Sequence, residues 1–449
     1  MADDDEATGG AGGLPEGLPE ELLALLQQLG GSEILGQIQQ AMARSDGPVN
    51  WDLALQVALR VAAPDDRSAT PEERAVADDA HTLAEHWLDL GSLPAAADAG
   101  QLVVSSRQEW VNAALRGLRP LIEPVAAASV AALGRLAAEQ LGEIGGAGEM
   151  ADALGEDLSA FGALLEPVGA VLMGLQTGQV VGQLSRQMLG QFDLGVPTAD
   201  RSTAYRLEVN VAEAFDGYGL DPMELAIVLA LHEGAHRRQY HAVPWLAGHV
   251  HSLVAAFAQG LRIDVEQVME VSRELMDDLD VDDPASLQQA LERAASVRLQ
   301  PTPEQRRVLE RIQGVVLLLQ AWARREVREA AGERLPNLDH IEEVLRRRRR
   351  ASSEGERLLG SLLGLDLKPE DERSGDAFVE AVVEARGLEG LTRALAHPEN
   401  LPDAEEIAEP SRWLVRMAGG EDIPDDPSAL FGAGDAPIEP PGDERRPGN

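Results

Sequence analysis

Apolar residues recur every three or four positions along most of the chain, the spacing of one face of an α-helix. In the first third of the sequence this pattern predicts helices at 18–29, 51–62, 71–90 and 108–121. A further helix is predicted at 220–240, where Asp221 suits the N-cap and Pro222 the first helical position. The expected fold class is therefore mainly α.

One short segment alternates with the period of two that is typical of a β-strand. Tyr205, Leu207, Val209 and Val211 are separated by polar residues, which predicts a half-buried or edge strand. The segment lies just before the helix at 220–240, so we expect a short strand or small sheet beside that helix.

Glycines recur at near-regular intervals in the segment 169–189, at Gly169, Gly174, Gly178 and Gly182. Small residues at such intervals let two helices approach each other closely. Because the segment also carries glutamines and an arginine, we interpret it as tight packing inside a helical bundle and not as a membrane helix.

The composition indicates a folded chain with polar ends. Hydrophobic residues make up 44% of the 449 residues, which is far from the signature of wholesale disorder. Residues 1–16 and 418–449 are rich in Gly, Pro and acidic residues, so we expect disordered tails there. Between the tails we predict a helical N-terminal region at 17–100 and a core at 101–417.

The charge and the absence of cysteine exclude several classes of function. With 38 basic and 77 acidic residues the formal net charge is −39, which repels nucleic acid and anionic membranes. Without cysteine there are no disulfides, thiolate metal sites or cysteine nucleophiles, so a metal would bind His, Asp or Glu. The start of the chain does not resemble a secretory signal, and no apolar run approaches the ~18 residues of a membrane helix, so we expect a cytoplasmic protein.

The candidate chemistry lies in the helix at 220–240, which contains the pattern H-E-x-x-H at His232, Glu233 and His236. Two histidines four positions apart share one face of a helix and can reach one zinc ion. The glutamate stands on the flank of that face, where it could act as general base toward a water that zinc activates. The alternative reading is a pair of hydrogen-bonded core histidines with accidental spacing.

A catalytic zinc site also takes a third protein ligand. The extended metzincin pattern is absent because Gln239 and Ala242 stand where it requires Gly and His. The candidates that the residues leave open are His249, His251, Asp264, Glu266, Glu270 or a residue on the long helix downstream.

Several longer runs carry a resemblance to a known family. They are LMGLQTGQVVGQLSRQMLGQFDLGVP, ALHEGAHRRQY followed by VPWLAGH, RSGDAFVEAV and LPDAEEIAEPSRWLVR. With these runs the chain resembles the type 2 zincin-like metallopeptidases of actinobacteria over about residues 49–417. The resemblance implies a mostly helical zincin, a zinc-dependent hydrolase of peptide-like bonds in a peptide or protein substrate. It further implies His232 and His236 as zinc ligands and Glu233 as general base.

The same resemblance implies a third ligand on a later helix, where the family carries Leu-Glu-Gly. The matching residues here are Leu319, Gln320 and Ala321, and helical periodicity turns Gln320 inward. A neutral amide is a poorer ligand for a divalent cation than a carboxylate. Three outcomes are open: Gln320 binds zinc weakly, another acid such as Glu266 or Asp264 replaces it, or the protein is a non-catalytic zincin-like binding protein.

Three smaller features have simple interpretations. The five consecutive arginines at 346–350 lie beside acidic residues, so we expect a solvated, salt-bridged surface. Trp245 is interpreted as a packing anchor. The side chains that could stabilise a tetrahedral oxyanion are Tyr205, Tyr218, Tyr240 and His241.

Overall fold

The structure, a computed structural model, describes residues 47–95, 101–143, 158–259, 302–351, 359–360 and 372–418. Most of these residues are helical, and the α-helices in chain order are α1 Trp51–Ala62, α2 Pro71–Leu88, α3 Arg107–Glu143, α4 Leu158–Ser185, α5 Glu208–Phe215, α6 Pro222–Ala242, α7 Leu246–Gln259, α8 Pro303–Ala331, α9 Leu338–Ala351, α10 Glu372–Arg386, α11 Leu388–Ala394, α12 Ala404–Ala408 and α13 Pro410–Ala418. The predicted helix at 18–29 and, apart from Ala418, both predicted tails lie outside these ranges. The predicted boundary near residue 100 stays a prediction.

Side chains cap the start of several helices. Asn50 Oδ1 accepts from the Leu53 N–H at 2.9 Å and starts α1, which matches the predicted span. At α2, Thr70 and Glu73 form a reciprocal capping box. The predicted helix at 108–121 is the first part of the longer α3, which continues through two internal prolines. The prediction of a mainly α fold is confirmed.

Two short strands, β1 Leu102–Val104 and β2 Ala204–Arg206, pair in parallel with Val103 opposite Tyr205. The small sheet beside α6 is therefore confirmed, but the prediction that the strand continues to Val211 was wrong. The helix α5 begins at Glu208 instead, and Val209 and Val211 belong to it.

Tertiary contacts explain why the alternating segment becomes a helix. Asn210, which alternation assigns to an exposed face, is buried and donates to the carbonyls of Ser185 at 2.8 Å and Met188 at 2.6 Å. Its Oδ1 accepts from Nε of the buried Arg107 at 2.7 Å. Polar and apolar residues of this segment are thus buried together, so the period of two does not report a solvent-exposed face.

Gly174, Gly178 and Gly182 of α4 lie against α1 and its cap, whereas Gly169 lies against Val130 of α3. A Cβ atom on Gly178 would lie 2.6 Å from the Ala54 carbonyl oxygen, and one on Gly174 would lie 2.6 Å from that of Asn50. Side chains larger than hydrogen would therefore push the helices apart. The interpretation as tight packing within a bundle is confirmed, and no described helix combines the length and apolar character that crossing a membrane requires.

Helix α6 runs through the middle of the described core and packs against α2 and α8. Every residue from Leu225 to Tyr240 is buried except His232, which is half-buried. The sequence predicted burial on one face only. Charged residues can be buried on the other faces because Glu85 of α2 pairs with Arg237 at 2.8 Å and with Arg238 at 2.9 Å.

Candidate active site

His232, Glu233 and His236 line one cleft that opens to solvent. The other walls come from the segment between α4 and β2, from β2 itself, and from α8 and α9. Helix α6 therefore presents its only half-buried position in the stretch 225–240 to this cleft. All three motif residues line this cleft, and their chemical roles stay predictions.

Hydrogen bonds fix the ring of His236. Its Nδ1 lies 3.1 Å from Oε1 of Gln239, and Nε2 of Gln239 donates to the Leu319 carbonyl at 3.0 Å. Since the Gln239 amide nitrogen faces a carbonyl, its oxygen accepts and His236 Nδ1 is the protonated nitrogen. The lone pair then belongs to Nε2. The ring also stacks on Phe192, with centroids 5.8 Å apart.

The Glu233 carboxylate accepts from three backbone N–H groups. These belong to Tyr205 at 3.1 Å, Gln191 at 3.3 Å and Phe192 at 3.4 Å. Burial raises the pKa of Glu233 to about 7, and the charge of Asp193 adds to the rise, while the N–H donors oppose it. A carboxyl group with this pKa is suited to accept and return a proton near neutral pH.

Gly190 makes room for the Glu233 carboxylate. A Cβ atom at position 190 would lie 2.5 Å from Glu233 Oε2 and 3.2 Å from the Tyr205 carbonyl oxygen. Any side chain here would displace the carboxylate from its N–H donors. No feature of the sequence pattern singled out this glycine, although it lies within one of the runs that carry the family resemblance.

Gln320 of α8 lines the same cleft, as its position on the helix predicted. Asp193 also lines it and was missed, although it lies in the same run as Gly190. Its Oδ2 accepts from the Leu189 N–H at 2.6 Å. Within the described ranges, no group of three or more His, Asp or Glu residues could hold a metal ion.

The other candidate ligands do not reach the cleft or lie outside the description. His249 and His251 belong to α7 and are absent from the lining, and His249 packs edge-on against Trp245 with centroids 5.7 Å apart. Neither histidine lines the cleft, because α7 packs against α3 and against another face of α8. Asp264, Glu266 and Glu270 lie outside the described residues.

Among the proposed oxyanion-stabilising side chains, only Tyr205 lines the cleft. Tyr240 is fully buried and donates to the Gly195 carbonyl at 3.0 Å, so its hydroxyl holds the fold together. Tyr218 is 47% exposed, and neither it nor the exposed His241 lines the cleft. Trp245 packs against the core as predicted.

Three arginines also line the cleft: Arg206 of β2, Arg324 of α8 and Arg348 of α9. Arg348 belongs to the arginine run that was predicted to be a solvated surface. For Arg346 and Arg347 that prediction is confirmed, because both pair with Glu343. For Arg348 it was wrong, since this side chain turns inward and donates to the Gln187 carbonyl.

The profile of a family described as zincin-like metallopeptidase matches residues 49–414. The chain belongs to the zincin-like metallopeptidase family. The predicted resemblance is confirmed over nearly the whole range expected for it. A zincin-like chain of this family is a hydrolase by class.

A solved structure supports the same class for this zincin-like protein. It is a Chloroflexus aurantiacus protein described as "a putative hydrolase with a novel fold", with 25% sequence identity and a TM-score of 0.54. The alignment covers 83% of this chain and 99% of that chain. No curated protein sequence matches the chain.

Zincin-like proteins are typically zinc-dependent, so the donors in the cleft decide whether zinc fits. His232 and His236 place two imidazoles on one wall of the cleft. Because the proton of His236 is on Nδ1, the lone pair of Nε2 can bind a metal ion. Gln320 offers a neutral amide oxygen. This donor set fits a divalent metal ion, with a weaker third ligand than a carboxylate.

Proposed function

We propose that this zincin-like protein is a zinc-dependent hydrolase that cleaves peptide-like bonds. The observation that carries the proposal is that Glu233, His236 and the half-buried His232 line one cleft. His232 and His236 would hold the metal, and Gln320 is the candidate third donor. Bound zinc would polarise the substrate carbonyl and lower the pKa of a water molecule to ~7.

Hydrolysis adds water across the amide bond, so that the hydroxyl joins the carbon and a proton joins the leaving nitrogen. Glu233 would take the proton from the attacking water and pass it to that nitrogen. Its pKa of about 7 suits both transfers. The phenol of Tyr205, which lines the cleft, could donate to the developing oxyanion.

The proposed partner is a peptide or protein substrate. The formal net charge of −39 argues against nucleic acid and against an anionic membrane surface as partners. A cytoplasmic location belongs to the same proposal and has its own test, which is fractionation of the source cells.

Turnover that depends on Glu233 tests the proposal. The full chain, supplied with zinc, is incubated with a mixture of N-acetylated peptides and the products are identified by mass spectrometry. Glu233→Gln should reduce the rate by ~10²–10⁴-fold, as expected for loss of a general base. Glu304→Gln, at an exposed position in the first turn of α8, is the matched control and should leave the rate unchanged.

The second candidate is a zincin-like binding protein without catalysis. It is favoured by Gln320, where the family resemblance implies a glutamate, and by the lack of a three-residue His, Asp or Glu cluster among the described residues. This candidate predicts no turnover with zinc present. Restoring the acid with Gln320→Glu would then raise zinc affinity without restoring activity. Turnover of the native chain that is lost in Glu233→Gln would exclude it.

A further inference from the structure

Basic side chains outnumber acidic ones in the cleft, although the protein as a whole is strongly acidic. Three arginines line it, Arg206, Arg324 and Arg348, whereas its only carboxylates among the described lining residues are Asp193 and Glu233. The whole chain has twice as many acidic as basic residues. The arginines come from three separate elements, so the excess of cations is not a by-product of one helix face.

Arg206 is the most deeply placed of the three. Its side chain is only 4% exposed, and Nη2 donates to the Ala226 carbonyl of α6 at 3.1 Å. Nη1 is buried, and no atom of the described residues accepts its hydrogen bond. The nearby charges of Glu208, Glu233 and Asp193 act on Arg206 through space, without a hydrogen bond to it.

A buried guanidinium N–H without an acceptor costs free energy, because in water it would be hydrogen-bonded. Because Arg206 lines the cleft, an anionic oxygen that reached Nη1 from the cleft would remove that cost. A carboxylate is the natural match for a guanidinium, since its two oxygens suit the fork of N–H donors. A dianionic phosphate is less suitable, because Glu233 and Asp193 share the same cleft and would repel it more strongly.

The other two arginines are held in place around the cleft. Arg324 pairs with Asp376 at 2.7 Å and donates to the Glu372 carbonyl at 3.2 Å. Arg348 donates to the Gln187 carbonyl. Asp376 offsets much of the charge of Arg324, while the hydrogen bonds of both arginines keep their guanidinium groups at the cleft wall.

We propose that the cleft recognises a substrate that carries a carboxylate close to the bond to be cleaved, with Arg206 binding the carboxylate and Arg348 supporting it. The inference rests on the proposed hydrolase function and narrows its substrates. The carboxylate can be the C-terminus of a peptide or the side chain of an Asp or Glu residue in it.

Matched peptide sets test the inference. One set of N-acetylated peptides has free C-terminal carboxylates, a second has the same sequences as C-terminal amides, and a third has amidated ends with one internal Asp or Glu. Cleavage by the zinc-supplied full chain is followed by mass spectrometry. We expect the free acids or the internal acids to be cut at least 10-fold faster than the neutral amides, and the preferred set identifies the source of the carboxylate.

Variants show whether the arginines cause the preference. Arg206→Gln should abolish it, and Arg206→Lys should keep only part of it because lysine lacks the fork of donors. Arg348→Gln should weaken it, and it provides the test if Arg206→Gln does not fold. Arg347→Gln, the exposed neighbour that pairs with Glu343, is the control and should keep the full preference.

A binding measurement separates this inference from the proposed hydrolase. Calorimetry on the zinc-free full chain compares N-acetyl-dipeptide acids with their amides. Equal cleavage of all sets would overturn the inference and leave the hydrolase standing. If no peptide set is cut, the proposed hydrolase function is wrong, and the binding data then test the inference. Binding of the acids that is lost in Arg206→Gln supports carboxylate recognition by Arg206. Equal binding of acid and amide, or no binding of either, overturns it.

Discussion

The Nδ1 atom of His236 lies 3.1 Å from Oε1 of Gln239, whose Nε2 donates to the Leu319 carbonyl of α8. This chain of two hydrogen bonds connects the main chain of α8 to the ring nitrogen that must carry the proton if Nε2 is to bind zinc. Such outer partners orient a histidine ligand and raise its basicity.

Gln239→Ala should therefore weaken zinc binding by ~10–100-fold, the usual effect of losing such a partner. The measurement is competition for zinc against a chelator of known affinity. Gln183→Ala, on α4 and outside the cleft lining, is the control and should bind zinc like the native chain. Unchanged affinity in Gln239→Ala would show that this hydrogen bond does not prepare His236 as a ligand.

Gly190→Ala should lower the rate of hydrolysis by at least ~10-fold, because the new Cβ would lie 2.5 Å from Glu233 Oε2 and displace the proposed base. Gly248→Ala is the matched control, since nothing lies within 4 Å of its added Cβ and alanine favours the helix α7. The rates of both variants are compared after circular dichroism has shown that they fold. Equal rates for Gly190→Ala and Gly248→Ala would mean that the position of the Glu233 carboxylate does not affect hydrolysis.

The stability of the zinc-free protein should depend on pH through Glu233. Its pKa is about 7 in the folded state against an ordinary 4.5, so the folded state binds the proton more tightly. Stability from this group is therefore complete below pH ~4.5 and is lost as the pH rises through ~7, by up to ~3 kcal/mol. Melting temperatures at pH 5 and pH 8 should differ more for the native chain than for Glu233→Gln. Parallel pH curves for the two proteins would contradict this.

Removing the buried carboxylate that pairs α2 with α6 should lower the free energy of unfolding more than removing an exposed one. Glu85 faces two buried arginines, Arg237 and Arg238, so Glu85→Ala leaves their charges without that carboxylate. Loss of one partner of a buried pair costs ~3–5 kcal/mol. Asp89 also pairs with Arg238, but its side chain is 52% exposed. Asp89→Ala should therefore lower the free energy of unfolding by at most ~1 kcal/mol. Urea denaturation of both variants measures the difference, and equal losses would disprove the argument.

Local signals made much of the fold predictable. The apolar spacing at 51–62 predicted α1, and Asp221 with Pro222 predicted the start of α6. The strand beyond Arg206 was mispredicted because Asn210 is buried by contacts with residues far away in sequence. An alternating pattern cannot report such contacts.

The candidate site was predictable as far as its chemistry lies within one helix. His232, Glu233 and His236 are four positions from end to end, so helical geometry alone brings them together. The N–H donors to Glu233 come from residues up to 42 positions away, and Arg206 was read as one polar residue of a strand. Tertiary structure had to place these groups in the cleft.

The most direct test of the zincin-like hydrolase is the zinc content of the purified full chain. Mass spectrometry of the metal, after dialysis against a weak chelator, should find close to one zinc per native chain. His232→Ala and His236→Ala should each lose it while keeping the helical circular dichroism spectrum. A native chain with no more zinc than the His232→Ala variant would contradict the proposal that His232 and His236 hold zinc.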